Sequence, residues 1–259
     1  MKHPDPIGDR MKGYEAAMER TLDHALPIIV RLDGRAWSSW TGRCCEKPYD
    51  PRLHALMAAT TKALCQETGA HYGYTQSDEI TLVLHTVGVS QPLFGARVQK
   101  LTSLLASWAT AYFTAHLPET GIVAPKPATF DCRVFNVPTM EEAVEAVLWR
   151  EADAQRNSTL GRGQEFLSAA QLHGMTAREV RGWLLSHNKA WEYLPVERRY
   201  GAAFHRRRSV RPFTTEELEA LPPKHNARSN PALLVERQDY LPVALPLREH
   251  DNPTGTVFL

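Results

Sequence analysis

Pro27-Ile28-Ile29-Val30-Arg31-Leu32-Asp33-Gly34 is an apolar, β-branched run that ends in Asp-Gly. The pattern predicts a buried strand with Asp33 at its carboxyl end. Further on, Tyr72-Gly73-Tyr74-Thr75 leads into Gln76-Ser77-Asp78-Glu79, and Ile80-Thr81-Leu82-Val83-Leu84 leads away. That arrangement predicts a hairpin with carboxylates at its tip. Between the two runs one helix is well marked: Asp50 can cap its free N–H groups, Pro51 fits its first position, and Leu53, Leu56, Met57, Thr60 and Leu64 recur at helical spacing. A strand, a crossover helix and a second strand make a right-handed unit, which brings Asp33 and Asp78 to one edge of a sheet.

Two carboxylates converging there repel each other unless a cation lies between them, and hard divalent cations such as Mg²⁺ prefer oxygen ligands. With one or two Mg²⁺ this is a layout for phosphoryl or nucleotidyl transfer. The plainer reading is turn chemistry, because Asp-Gly and Ser-Asp-Glu are common at turns. Their joint occurrence at strand ends across a single β-α-β unit sets the metal reading against it.

Around this unit, Met11 to His24 reads as a leading helix that packs on the domain, with Glu15, Glu19 and Arg20 outward. Phe94 to His116 reads as a long helix with Leu101, Leu104, Leu105, Trp108 and Tyr112 on one face and Pro118 closing it. Arg97 and Lys100 lie in its first turns, where the helix dipole does not favour basic side chains. Ala128 to Phe135 reads as a strand, and Thr139-Met140-Glu141-Glu142 opens a further helix. The order β-α-β-β-α-β-α predicts an α+β fold: a polymerase-palm-like (ferredoxin-like) antiparallel sheet with helices on one face.

From Thr159 the material reads as a helical extension, with a capping box at Thr176-Ala177-Arg178-Glu179. Arg198, Arg199, Arg206, Arg207, Arg208 and Arg211 then cluster with Tyr200 and Phe204, a mixture suited to an RNA backbone with a stacked base. Gly201 within the cluster permits close backbone approach. The tail from Pro212 is rich in proline, Pro231 included, and reads as an extended arm ending in Thr256-Val257-Phe258-Leu259. The organisation expected is a palm-like catalytic domain over 1–158, with 159–259 packed on the same body.

Composition agrees with a globular enzyme: 43% hydrophobic and 23% charged over 259 residues. The formal net charge of +1 gives no global pull toward nucleic acid, so RNA contacts must come from local basic patches. Cys44, Cys45, Cys65 and Cys132 show no Cys-x-x-Cys pairing, no apolar run has the length to cross a bilayer, and Met1 to Arg20 is too charged for an export signal. A cytoplasmic protein is expected.

Arg31-Leu32-Asp33-Gly34-Arg35, Glu46-Lys47-Pro48 with Asp50, and Gln76-Ser77-Asp78-Glu79 stand in the order and spacing of the tRNA-histidine guanylyltransferase family. The chain resembles that family, whose bacterial, archaeal and phage members are 3′ to 5′ RNA polymerases. The likeness continues through Phe130-Asp131-Cys132-Arg133-Val134 and Trp149-Arg150-Glu151-Ala152-Asp153. It implies addition of a nucleotide, often GMP, to the 5′ end of tRNA or 5′-truncated tRNA. The 5′-phosphate is first activated by ATP or GTP and then attacked by the 3′-hydroxyl of the incoming NTP. It further implies two Mg²⁺ held by Asp33, the Gly34 carbonyl and Asp78, with Glu79 near the metal and counted among the catalytic residues. Nucleotide contacts are implied for Arg31, Asp33, Gly34, Arg35, Lys47, Ser77, Asp78, Arg97, Lys100 and Asn157, and the assembly implied is a tetramer. Two departures stand out. Gln155-Arg156-Asn157-Ser158 replaces the His-Ile-Asn-Asn of the eukaryotic branch, and Ser38 stands where many relatives have His. The first favours repair of several truncated tRNAs over strict tRNA-histidine specificity. A nucleotide cyclase on the same palm would have no need of the basic C-terminal patch, and a non-catalytic RNA-binding module would have no need of the carboxylates.

Overall fold

The computed structural model describes residues 5–85, 91–230 and 232–258. At its centre β1 (Ile28–Gly34) is flanked by β3 (Glu79–Leu84) and β4 (Phe130–Asn136), in a six-stranded sheet of order β4-β1-β3-β2-β5-β6 with every pair antiparallel. β2 (Tyr72–Gln76) joins β3 through Ser77 and Asp78. The last two strands are β5 (Ala202–Pro212) and β6 (Leu234–Pro242). In chain order the helices are α1 (Pro6–Ala17), α2 (Trp37–Thr41), α3 (Pro51–Thr68), α4 (Val98–His116), α5 (Met140–Gln164), α6 (Ala169–Leu172), α7 (Ala177–Ser186), α8 (Val196–Tyr200), α9 (Thr215–Ala220), α10 (Asn226–Ser229) and α11 (Pro253–Phe258).

Both faces of β1 are buried, which explains why it reads as an unbroken apolar run although the sheet is antiparallel. Ile28, Val30 and Leu32 pack with Leu56, Met57 and Leu64 of α3 and Leu101, Leu105 and Phe113 of α4. On the other face Ile29, Tyr72, Tyr74 and Val83 pack with Ala143, Val144 and Val147 of α5 and Val257 of α11. The α+β palm expected from sequence is therefore present. Its two crossover helices share one face, and α5 with α11 covers the other.

Local signals behave as expected around β1. The Asp50 carboxylate accepts from the Arg52 N–H at 3.0 Å to cap α3, Pro51 occupies the first position, and Gly69 at φ +67° closes the helix. Gly201, at φ +89°, lies so close to the Thr75 carbonyl oxygen that a Cβ there would collide with it. That is the close approach read from the sequence.

Four elements differ from expectation. α1 starts at Pro6, capped by Asp5, and buries no residue; Ile7, Met11, Tyr14 and Met18 are exposed, so it does not pack on the body of its own chain. α4 starts at Val98 rather than Phe94, because Phe94 and Gly95 take left-handed backbone angles that kink the chain just before it. The basic run Arg206-Arg207-Arg208 lies in a strand, not in helical or irregular chain: β5 pairs with β2 as far as His205 and beyond that only with β6. This strand has no period-2 apolar signal because its outer side chains are exposed or half-buried. α5 also runs on past Trp149 as one 25-residue helix, about 37 Å long, which carries Asn157. Pro231 and Leu259 of the proline-rich arm lie outside the described residues.

Candidate active site

β1 and the β2–β3 hairpin end side by side. Asp33 lies opposite Glu79 on β3 and Asp131 on β4, and the Gly34 N–H donates to the Asp78 carbonyl at 3.2 Å. Gly34 permits this junction: a Cβ there would lie 2.5 Å from the Trp37 ring and 2.8 Å from the Asp78 Cβ. Trp37 cannot easily yield, being stacked on Trp40 at 5.1 Å and edged by Phe113 at 5.5 Å. The tip residue Ser77 is itself left-handed at φ +55°.

Among the described residues neither Asp33 nor Asp78 forms an ion pair. Burial, followed by the charge of Asp33, pushes the Asp78 carboxyl up to about 6. Asp33 is raised as well, by burial first and then by Glu79 and Asp131. The electrostatics are those of carboxylates awaiting positive charge.

Glu79 behaves differently. One of its oxygens accepts from Arg31 at 3.1 Å and the other from Arg150. Arg150, 7% exposed, also pairs with Asp153 at 2.8 Å, and the Trp149 ring lies 4.5 Å from its guanidinium and 5.2 Å from that of Arg31. Glu79 and Arg31 thus form a half-buried ionic frame beside Asp33.

Next to Asp78 lies a cleft of about 240 Å³, walled by Ser38, Lys47, Ser77, Asp78, Asn157 and Arg198 among others. Lys47 donates to the Thr41 hydroxyl, and Arg198 reaches Glu165 with its guanidinium 5.3 Å from the Tyr49 ring. Asn157 reaches the same cleft from α5. Asp33 does not wall it, and Arg35 is exposed outside it.

Arg97 and Lys100 are not brought here within one chain. β3 carries the chain away from the hairpin, so α4 begins beyond the Ile28/Leu84 end of the sheet, where Arg97 directly precedes it and lies 3.9 Å from Glu19. The basic cluster divides in the same way. Arg198 and Arg199 stand near the cleft, whereas Arg206, on the Gly69 carbonyl at 2.8 Å and His71 Nε2 at 2.6 Å, lies toward the far end with the exposed Arg207 and Arg208. Residues that the sequence did not single out as functional are Asp131, Arg150 and Thr41. Strand register is the signal that places Asp131 opposite Asp33.

The sequence profile of the family described as tRNAHis guanylyltransferase matches residues 8–138, just over half of the chain. The chain belongs to the tRNA-histidine guanylyltransferase family. Members of that family are nucleotidyltransferases, and so is this enzyme. A tRNA(His) guanylyltransferase of Neurospora crassa is 32% identical over 145 residues, 52% of this chain and 48% of that protein. Among solved structures, a bacterial tRNA(His) guanylyltransferase-like protein in complex with ATP superposes with a TM-score of 0.72 at 34% identity, covering 77% of this chain and 88% of that one. One in complex with GTP gives 0.74 at 27% identity, covering 98% and 100%. No helix among the described residues is long and apolar enough to cross a membrane.

Proposed function

We propose that this enzyme extends the 5′ end of tRNA, including 5′-truncated tRNA, in the 3′ to 5′ direction after ATP or GTP has activated the 5′-phosphate. The observation that carries the reading is the pair of carboxylates at the strand ends, without an ion-pair partner among the described residues and set beside a cleft with cationic side chains in its wall. In the related bacterial structures the bound molecules are ATP and GTP.

The donors fit Mg²⁺. Among the described residues no three His, Cys, Asp or Glu side chains cluster to hold a metal. A cation at Asp33, the Gly34 carbonyl and Asp78 would therefore complete its shell with water and phosphate oxygens, as Mg²⁺ characteristically does. When bound, two Mg²⁺ supply charge neutralisation at the transferring phosphorus and a lowered pKa for the attacking hydroxyl. The chain's own groups do the rest. Lys47, Ser77, Asn157 and Arg198 hold the triphosphate, and Arg31 and Arg150 hold the Glu79 side chain in place on the strand beside Asp33. Arg199 and Arg206 to Arg208 hold RNA phosphates. A homotetramer acting in the cytoplasm completes the proposal, supported by four free cysteines and by the exposed apolar residues of α1.

The test is incorporation of each labelled NTP into a 5′-truncated tRNA with Mg²⁺, using one tRNA body that carries either its own anticodon or that for histidine. Addition of whichever nucleotide pairs with the opposite strand, with either anticodon, is expected. A large preference for the histidine anticodon, or G added regardless of the opposite base, overturns template-directed repair. Cyclic product formed from NTP alone overturns transfer to RNA.

A further inference from the structure

A second cleft, of about 470 Å³, opens between the middle of α5 and the length of α7. Ala152, Gln155, Arg156 and Thr159 face it from α5, at helical i, i+3, i+4, i+7 spacing, whereas Asn157, Ser158 and Gly161 face the cleft beside Asp78. One helix therefore separates two cavities. Of the three residues that depart from the eukaryotic His-Ile-Asn-Asn pattern, Gln155 and Arg156 belong to the outer one and Ser158 to the inner one.

The outer cleft is positively charged. Arg156, Arg178 and Arg181 line it against a single acid, Glu192. Glu192 accepts from Arg181 at 2.8 Å. The acid beside Arg156 is Asp153, which is shared with Arg150 at 2.8 Å and with Asn157. Arg178 is exposed and has no ion-pair partner among the described residues. Three guanidinium forks facing one acid and a share of another leave an excess of positive charge, and such forks match phosphate oxygens in geometry as well as charge. The ion-pair chain Arg31–Glu79–Arg150–Asp153–Arg156 runs from the strand of Asp33 to the rim of this cleft, so the two sites share one rigid framework.

We propose that the α5–α7 cleft is a subsite for phosphodiester groups of the RNA strand whose 5′ end is presented at Asp33 and Asp78. The inference rests on the function proposed above. Arginines along two helices suit a chain of phosphates, and they hold it without reading its sequence. Gln155 and Arg156 are then the means by which this protein grips RNA of differing sequence.

The experiment compares wild type with Arg156→Gln/Arg178→Ala, two exposed positions whose loss should leave the melting temperature unchanged, and with Arg178→Glu alone. Filter binding of a 5′-phosphorylated, 5′-truncated tRNA is measured over a range of salt concentrations, and ATP binding is measured without RNA. The double variant should bind RNA about 100-fold more weakly, about tenfold for each of the two charge-assisted phosphate contacts removed. Its plot of log affinity against log salt should be shallower by about 0.7 to 0.9 per arginine removed. Arg178→Glu should also weaken RNA binding, and ATP affinity should not change in either. RNA affinity and slope equal to wild type overturn the subsite. So does a fall in ATP affinity with RNA binding intact, which would mark the cleft as a nucleotide site. Wild-type protein that binds no RNA at any salt concentration overturns the proposed function and the subsite together.

Discussion

Replacing Gly34 by Ala should separate the carboxylate geometry from the rest of the fold. The added Cβ would sit 2.5 Å from Trp37 and 2.8 Å from the Asp78 Cβ, whereas carbon atoms in contact keep about 3.5 to 4.0 Å apart. Something must move by about 1 Å. Trp37 is buried among Trp40, Phe113 and Phe130, while Asp78 is held by a two-residue hairpin tip, so the hairpin gives way. Overpacking of this kind costs about 1 to 3 kcal/mol, a loss of several degrees in Tm for a protein of this size. A displacement of about 1 Å at the reacting groups costs about 100-fold in rate. Single-turnover transfer of labelled nucleotide to a 5′-truncated tRNA should therefore fall about 100-fold at saturating Mg²⁺ and NTP, with ATP binding close to wild type. Gly13→Ala is the control: nothing lies within 4 Å of its Cβ, and it should leave transfer unaffected. A Gly34→Ala enzyme with a lowered Tm and undiminished transfer would show that the position of Asp78 relative to Asp33 does not matter to the chemistry. Unchanged Tm and rate would mean that Trp37 is looser than its packing implies.

Asp33→Asn and Asp78→Asn should each lower transfer by several orders of magnitude while leaving the fold intact, and circular dichroism with activity assays checks both; near-normal turnover in either removes it from the metal site. The pH dependence has a definite sign. The Asp78 carboxyl is raised in the folded protein from 3.8 to about 6, so its ionisation weakens the fold: the contribution of this group to stability is fully present below about pH 4 and is lost as pH rises through 6. Asp78→Asn should consequently raise the Tm measured without Mg²⁺ at pH 7, and the Mg²⁺ concentration that wild type needs should fall between pH 5 and 7; a requirement independent of pH contradicts this. Arg150→Ala removes the partner of both Glu79 and Asp153 in a nearly buried network and should cost about 3 to 5 kcal/mol in chemical denaturation, an effect that a merely exposed pair would not produce.

Much of this protein is legible in its residues because the deciding signals are local. The β-branched run into Asp33-Gly34, the cap at Asp50-Pro51 and the two-residue turn at Ser77-Asp78 each depend on neighbours within a few positions, and together they specify the palm and place Asp33 and Asp78 at one edge. Gly201 belongs with them, since a glycine inside a basic run has few other reasons to be there. What the sequence left open depends on distance through space. Which end of the sheet receives a residue follows from counting strands: Arg97 and Lys100 follow β3 and so emerge at the end away from Asp33. Charge type alone does not tell a ligand from an ion-pair partner, so only the side-chain positions assign Glu79 to Arg31 and Arg150 and leave Asp33 and Asp78 without an ion pair among the described residues. The basic run at Arg206 to Arg208 became a strand because β6 pairs with it from more than twenty residues away. Backbone pairing over that separation leaves no periodic trace in β5, whose outer side chains are exposed or half-buried. Local chemistry wrote the elements and the carboxylates into the chain; long-range register decided which side chains share the site.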